Sequence, residues 1–256
     1  FGLKCGDEIL KQFSMCMQSC INENQKIYEL GNGRFIIMDL ANHSKEDILE
    51  LYDELKKSVE VALEENVYRV VYTISVGIVE IDKEMKDYDT LIKYSDFALN
   101  EAKKKGKNSC YFFTQDKYKQ FIRRREIRVE LQNAVDHNFK NFDVYYQPII
   151  DIHTRNLIGA EALMRFKMKR NEQIEFISPA EFIPILEESG LIIPAGRWIL
   201  RQAVACCKKW QEFIPEFKVN VNLSYVQIIK SKILDEIKQA LKDFNLKPRS
   251  EERRVG

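Results

Sequence analysis

An acid and an amide, each at the end of an apolar run, constrain this chain more than any other feature. Glu161 stands in Gly159-Ala160-Glu161-Ala162-Leu163-Met164-Arg165-Phe166, and Asn222 in Val221-Asn222-Leu223-Ser224. Oxygen donors of this kind suit a hard cation. Glu-Ala-Leu alone is a common helical string and decides nothing by itself. The surroundings carry more weight: Tyr146-Gln147-Pro148-Ile149 comes before, and Ser178-Pro179-Ala180-Glu181-Phe182-Ile183-Pro184 and Glu187-Glu188-Ser189-Gly190-Leu191-Ile192 lie between.

The pattern around these positions predicts strands over 142–150 and 157–166 joined by a polar turn. Helices follow over 179–188 and 194–210, each with a proline near its first turn, where a missing N–H is harmless. A strand is predicted over 217–223, and Val226, Ile229, Ile233, Ile237 and Leu241 mark one final helix. Upstream, Ile9, Leu10, Phe13, Met17 and Ile21 recur at helical spacing. Strands over 27–30 and 35–38 flank the turn signal Gly31-Asn32-Gly33. Ser44-Lys45-Glu46-Asp47 resembles a capping box, opening a helix with Ile48, Leu51, Leu55, Val59 and Ala62 on one face. A β-branched strand is predicted over 70–79, a helix over 89–105 stopped by Gly106, and a short strand over 111–113. The fold class is α/β, with an α+β first unit over 1–114, a linker helix over 115–128 and a second unit over 129–248.

With 40 basic and 39 acidic residues the net charge is +1, which gives no general attraction to nucleic acid or membranes. The run Arg123-Arg124-Arg125 reads as the solvated face of the linker helix beside Glu126 and Glu130, not as a nucleic-acid patch. Of the six cysteines none forms a Cys-x-x-Cys pair; Cys206 and Cys207 are adjacent, and Cys16 and Cys20 are one helical turn apart. They are expected to be reduced thiols in a cytoplasmic protein. Trp198 and Trp210 are expected to pack, and His43, His137 and His153 show no metal spacing.

Taken in order, the motifs from about Arg125 onward resemble the opening motifs of the EAL family, bacterial cyclic di-GMP phosphodiesterases. The resemblance implies a modified TIM-like barrel, here incomplete, with catalytic groups at the carboxyl ends of strands. It implies that Glu161 and Asn222 are ligands of a site for two Mg2+ or Mn2+ ions. These would activate water to attack one phosphodiester of cyclic di-GMP, giving pGpG. It further implies that Arg165 contacts a substrate phosphate, that Gln147 lies near the ligand, that Leu163 packs close to the nucleotide, and that the domain supports a homodimer. Read singly, Glu161 could be a loop-facing acid and Asn222 a cap for the helix that follows.

Residues 1–114 resemble a GGDEF, or diguanylate cyclase, domain. The matching stretches are Gly2-x-x-x-Gly6-Asp7-x-x-Leu10, Gly31-Asn32-Gly33-Arg34-Phe35, Ser75-Val76-Gly77-Ile78 and Asp96-x-Ala98-Leu99-x-x-Ala102-Lys103-x-x-Gly106-Lys107-Asn108. In that family the signature hairpin supplies an acidic metal ligand and a neighbouring catalytic glutamate. Gly33 and Arg34 occupy those positions here, and neither can hold magnesium against a triphosphate. The family's product-inhibition motif should fall at Asn22 to Gln25, where its arginine and aspartate are missing. Asp7 matches the guanine-contacting acid, and Lys103 and Lys107 match phosphate-contacting positions. Residual GTP binding and an inert scaffold with an exposed basic face both remain open.

Phe1 enters in mid-pattern, so the first unit is expected to lack its opening strand. The remaining EAL ligands are expected beyond Pro248, and the charged, aperiodic 249–256 reads as a non-native tail. On these expectations the longer protein hydrolyses cyclic di-GMP while the fragment itself is inactive. The rival reading is a non-catalytic nucleotide-binding receptor or scaffold.

Overall fold

Helices and short strands alternate through a computed structural model that describes residues 3–41, 43–64, 72–82, 85, 87–170 and 172–247. Pro248, the tail 249–256 and the start of the strand predicted over 70–79 lie outside the described residues. The chain divides into two compact units, Phe1–Tyr118 and Lys119–Gly256.

In the first unit α1 (Leu3–Cys20) leads into the antiparallel hairpin β1 (Gln25–Gly31) and β2 (Arg34–Asp39). The hairpin turn runs through three successive positive φ angles at Gly31, Asn32 and Gly33, the handedness that matches strand twist. α2 (Lys45–Glu64) starts with the predicted capping box. Ser44 Oγ accepts from the Asp47 N–H at 3.1 Å, and the Asp47 carboxylate accepts from the Ser44 N–H at 2.8 Å. The apolar faces of α1 and α2 meet through Cys16, Met17, Tyr52, Leu55 and Val59.

The strand predicted over 70–79 is, among the described residues, only β3 (Val76–Ile78), paired in parallel with β4 (Cys110–Phe112). Side chains take over the backbone just upstream: the Tyr52 hydroxyl donates to the Ile74 carbonyl, and Asn108 Oδ1 accepts from the Ile74 N–H at 2.8 Å. Between them, α3 (Tyr88–Lys104) is capped by Asp87, which accepts from the N–H groups of Asp89 and Thr90.

The predicted linker helix does not end at 128. It continues as α4 (Gln115–Asp136) and buries Ile127, Leu131 and Ala134 in the second unit's core. Arg123 lies one helical turn before Ile127 on that same stripe. Its guanidinium therefore meets Glu181 and, at 2.8 Å, Glu175, where a solvated face was expected.

The second unit's strands are β5 (Phe142–Ile150), β6 (Leu157–Arg170), β7 (Gln173–Ile177) and β8 (Lys218–Val221), in one four-stranded sheet. β5 and β7 pair with β6 antiparallel, and β8 pairs with it parallel. A parallel neighbour requires a crossover, supplied here by α5 (Pro179–Ser189) and α6 (Ile192–Trp210). β7 was not expected from the sequence, although Gln173-Ile174-Glu175-Phe176-Ile177 alternates as a strand should. Phe166 and Phe182 are fully buried at the centre of the core, 5.9 Å apart between rings. Trp198 stacks on Phe139, and Trp210 on Phe217.

The single final helix is in fact two, α7 (Tyr225–Lys230) and α8 (Ile233–Asp243), broken at extended Ser231. The predicted common face fails because Ile229 is 60% exposed while Ile233 is buried. Cys16, Cys20, Cys110, Cys206 and Cys207 are free thiols. Among the described residues no helix is long and apolar enough to cross a membrane.

Candidate functional site

Side chains along a strand alternate between its two faces, and β6 separates its residues cleanly. Ala162, Met164, Phe166 and Met168 are buried in the core, while Glu161, Leu163, Arg165 and Lys167 are half-buried on the opposite face. Register then decides what joins them. β5 sets Gln147 opposite Glu161, Tyr145 opposite Leu163 and Asp143 opposite Arg165. On the other edge β8 brings Asn220 beside Glu161, and Asn222 follows two residues on. Gln147, Glu161, Leu163 and Arg165 thus share one face of one sheet, and Asn222, just past the end of β8, adjoins it; all five were singled out from sequence.

Gly159 makes the β6–β8 pairing close. A Cβ at that position would lie 2.5 Å from the Lys218 carbonyl oxygen, so a side chain there would push β8 away. With β8 seated, Asn222 Nδ2 donates to Glu161 Oε1 at 2.7 Å. Glu161, Val219, Asn220, Val221 and Asn222 line an open cleft of about 440 Å³.

Asn222 is not the cap of the following helix. Ser224 takes that role: its Oγ accepts from the Val226 N–H at 3.2 Å, and Gln227 Oε1 accepts from the Ser224 N–H at 3.1 Å. The Ser224 hydroxyl also donates to Glu187 Oε1 at 2.6 Å. That bond ties the 187–192 motif to the segment that carries Asn222, and leaves the amide to the cleft.

Glu161 and Asn222 fit a hard divalent cation in donor type, one carboxylate and one amide oxygen. The amide directs its N–H2 toward Glu161, and a half-turn about its last bond would present the oxygen instead. Among the described residues no three His, Cys, Asp or Glu side chains are grouped to hold a metal ion. One carboxylate and one amide are fewer donors than a complete coordination shell of a hard cation requires. Asn220 was missed in the sequence reading, though the alternation Val219-Asn220-Val221-Asn222 places both amides on one strand face.

Arg165 lies four residues beyond Glu161, roughly 13 Å along the strand. Its Nη1 donates to the Met164 carbonyl at 2.9 Å, and its guanidinium sits over the Tyr145 ring at 5.5 Å. Asp143 instead accepts from Lys167 Nζ at 2.9 Å, and that bond raises the Lys167 pKa above its usual value.

The first unit disperses its matched positions over several elements. Asp7 is exposed on α1, Lys103 is exposed in the last turn of α3, and Lys107 is exposed just beyond Gly106. Gly33 sits in the hairpin turn with φ +67°. Arg34 opens β2 and pairs with Asp96 of α3 at 3.1 Å, both partners being nearly half exposed.

Family models match both parts of the chain: "Diguanylate cyclase, GGDEF domain" over residues 1–109 and "EAL domain" over residues 128–251. The cyclic di-GMP phosphodiesterase PdeR of Escherichia coli is 27% identical over 246 residues, covering 96% of this chain and 36% of that protein. The bifunctional diguanylate cyclase/cyclic di-GMP phosphodiesterase MucR of Pseudomonas aeruginosa is 24% identical over 249 residues, covering 97% of this chain and 36% of that protein. A solved structure described as the PaMucR phosphodiesterase in complex with c-di-GMP is 27% identical with a TM-score of 0.44, over 48% of each chain. The chain spans about a third of the length of the curated relatives it matches.

Proposed function

Because the chain carries a GGDEF domain followed by an EAL domain, we propose that its second unit forms part of a cyclic di-GMP phosphodiesterase site and that its first unit makes no cyclic di-GMP. The observation that carries this reading is the convergence of Gln147, Glu161, Leu163 and Arg165 on one sheet face, with Asn222 adjoining it. Two curated relatives bear the name of this activity.

In this reading Glu161 and Asn222 hold divalent cations of the Mg2+ or Mn2+ class, two in the complete site. When bound, such ions supply Lewis-acid polarisation of a phosphoryl oxygen and acidify water. Arg165 offers a planar fork of N–H donors to a substrate phosphate, a better geometric match than a lysine would give. Gln147, opposite Glu161, can donate and accept beside the same phosphodiester. Leu163 between them presents apolar surface to the nucleotide. The products are linear pGpG and a proton.

For the first unit, Gly33 carries no side chain where the family has an acid. Arg34 places a cation at the other position and spends it on Asp96. Neither residue draws a magnesium–triphosphate complex to the hairpin. A homodimer formed through the EAL domain and a cytoplasmic location complete the proposal, with an inert scaffold and residual GTP binding through Asp7, Lys103 and Lys107 as the two alternatives for the first unit.

The test is made on the longer protein expected to complete this site: it is incubated with cyclic di-GMP and Mg2+ or Mn2+, and pGpG is followed by chromatography. Glu161→Ala should reduce turnover by about a hundredfold or more. Arg165→Ala should mainly weaken binding, by about 1.5–3 kcal/mol, or roughly ten- to a hundredfold. Near-normal turnover by Glu161→Ala at saturating metal would refute the site. Tight binding by the wild type without any pGpG would favour the receptor reading.

A further inference from the structure

The register of β5 and β6 sets two opposite charges, Asp143 and Arg165, directly across from each other. Directly opposed residues have Cβ atoms about 4.5–5.5 Å apart, close enough for an aspartate to pair with an arginine. That pair does not form. Asp143 Oδ2 accepts instead from Lys167 Nζ, two residues further along β6, at 2.9 Å. The Arg165 guanidinium lies over the Tyr145 ring, and among the described residues no carboxylate forms a salt bridge with it.

We infer that Lys167 is a positioning residue for anion binding: by engaging Asp143 it keeps that carboxylate off Arg165, so the guanidinium donors not taken by the Met164 carbonyl remain available to a phosphate. An aspartate on Arg165 would occupy the donors a phosphate needs, because both anions use the same bidentate geometry. Lys167 is suited to the diverting role, since a flexible stem carrying a point charge can follow Asp143 without presenting a competing fork. Tyr145 completes the arrangement by giving the guanidinium an aromatic surface to rest on in place of a carboxylate. The inference rests on the reading that Arg165 meets a substrate phosphate, and it adds Lys167, Asp143 and Tyr145 as the groups that govern that contact.

The experiment is a double-mutant cycle on the whole protein with two readouts. The first is calorimetric affinity for cyclic di-GMP without added divalent cation, so that nothing is turned over. Lys167→Met should weaken binding by roughly two- to fivefold, the range expected from one competing exposed ion pair. Asp143→Asn alone should change affinity less than this. Asp143→Asn added to Lys167→Met should restore affinity, a gain larger than the same substitution gives in the wild type. Strictly additive effects would mean that Lys167 acts only through its overall charge, and would overturn the inference. The second readout needs no ligand: the Arg165 Nε–Hε resonance should move in Lys167→Met and return in the double variant. No movement would overturn the inference even if affinity fell. If the resonance behaves as expected while the wild type binds no cyclic di-GMP, the control of Arg165 by Lys167 stands and the substrate assignment fails.

Discussion

In the second unit the candidate residues are set by sheet register, whereas in the first the matched positions sit on a turn, a strand start and exposed helix ends. The difference shows in how each key side chain is held. Glu161 is fixed between β5 and β8 and accepts a hydrogen bond from Asn222. Arg34 is held by an exposed ion pair to Asp96. Strand register is a shared property of many backbone hydrogen bonds, so a site built on it persists as a unit. A hairpin turn can exchange its side chains while its backbone path, here three positive φ angles, stays the same. The first unit thus holds Gly33 and Arg34 on a turn whose path does not depend on their side chains, and the second holds its candidate side chains by strand register.

Gly159→Ala tests the register half of this comparison and should have the larger effect. The added Cβ meets the Lys218 carbonyl, and overpacking of this kind typically costs about 1–3 kcal/mol. Moving β8 should also separate Asn222 from Glu161. Denaturant unfolding and a hydrolysis assay should therefore both report a loss. An unchanged midpoint with unchanged turnover would mean that the tight β6–β8 pairing does not matter to the site.

Arg34→Ala tests the other half and should have a small effect. An ion pair this exposed is worth less than about 1 kcal/mol, and the substitution removes no group assigned to cyclic di-GMP hydrolysis. Thermal unfolding should shift slightly and hydrolysis should not change. A large fall in phosphodiesterase activity would show that the hairpin governs the second unit, contrary to the division drawn here.

The same contrast explains how much was legible in the sequence. Gln147, Glu161, Leu163, Arg165 and Asn222 were found because their motifs resemble those of the EAL family; the period of two along a strand, once register is known, explains why the strand residues among them share a face. Asn220 obeys the same period but was overlooked beside the motif asparagine. The helix break at Ser231 was hidden because the apolar spacing from Val226 to Leu241 reads as one unbroken stripe, although only tertiary packing decides which of those residues are covered. The arginine run was read by charge alone. One helical turn of geometry would have placed Arg123 on the stripe of Ile127 and Leu131, facing Glu175 and Glu181. The shortening of the strand before Val76 depended on side chains far along the chain, Tyr52 and Asn108, that local pattern does not reveal.

The central claim is that Glu161 and Asn222 together form an oxygen site for a divalent cation, and Mn2+ binding followed by electron paramagnetic resonance tests it most directly. The wild-type protein should bind Mn2+, and Glu161→Gln, which keeps the shape of the side chain and removes its charge, should weaken that binding by roughly ten- to a hundredfold. Asn222→Asp, which adds a second carboxylate beside the first, should bind Mn2+ at least as tightly as the wild type. Equal Mn2+ affinity in the wild type and Glu161→Gln would contradict the account.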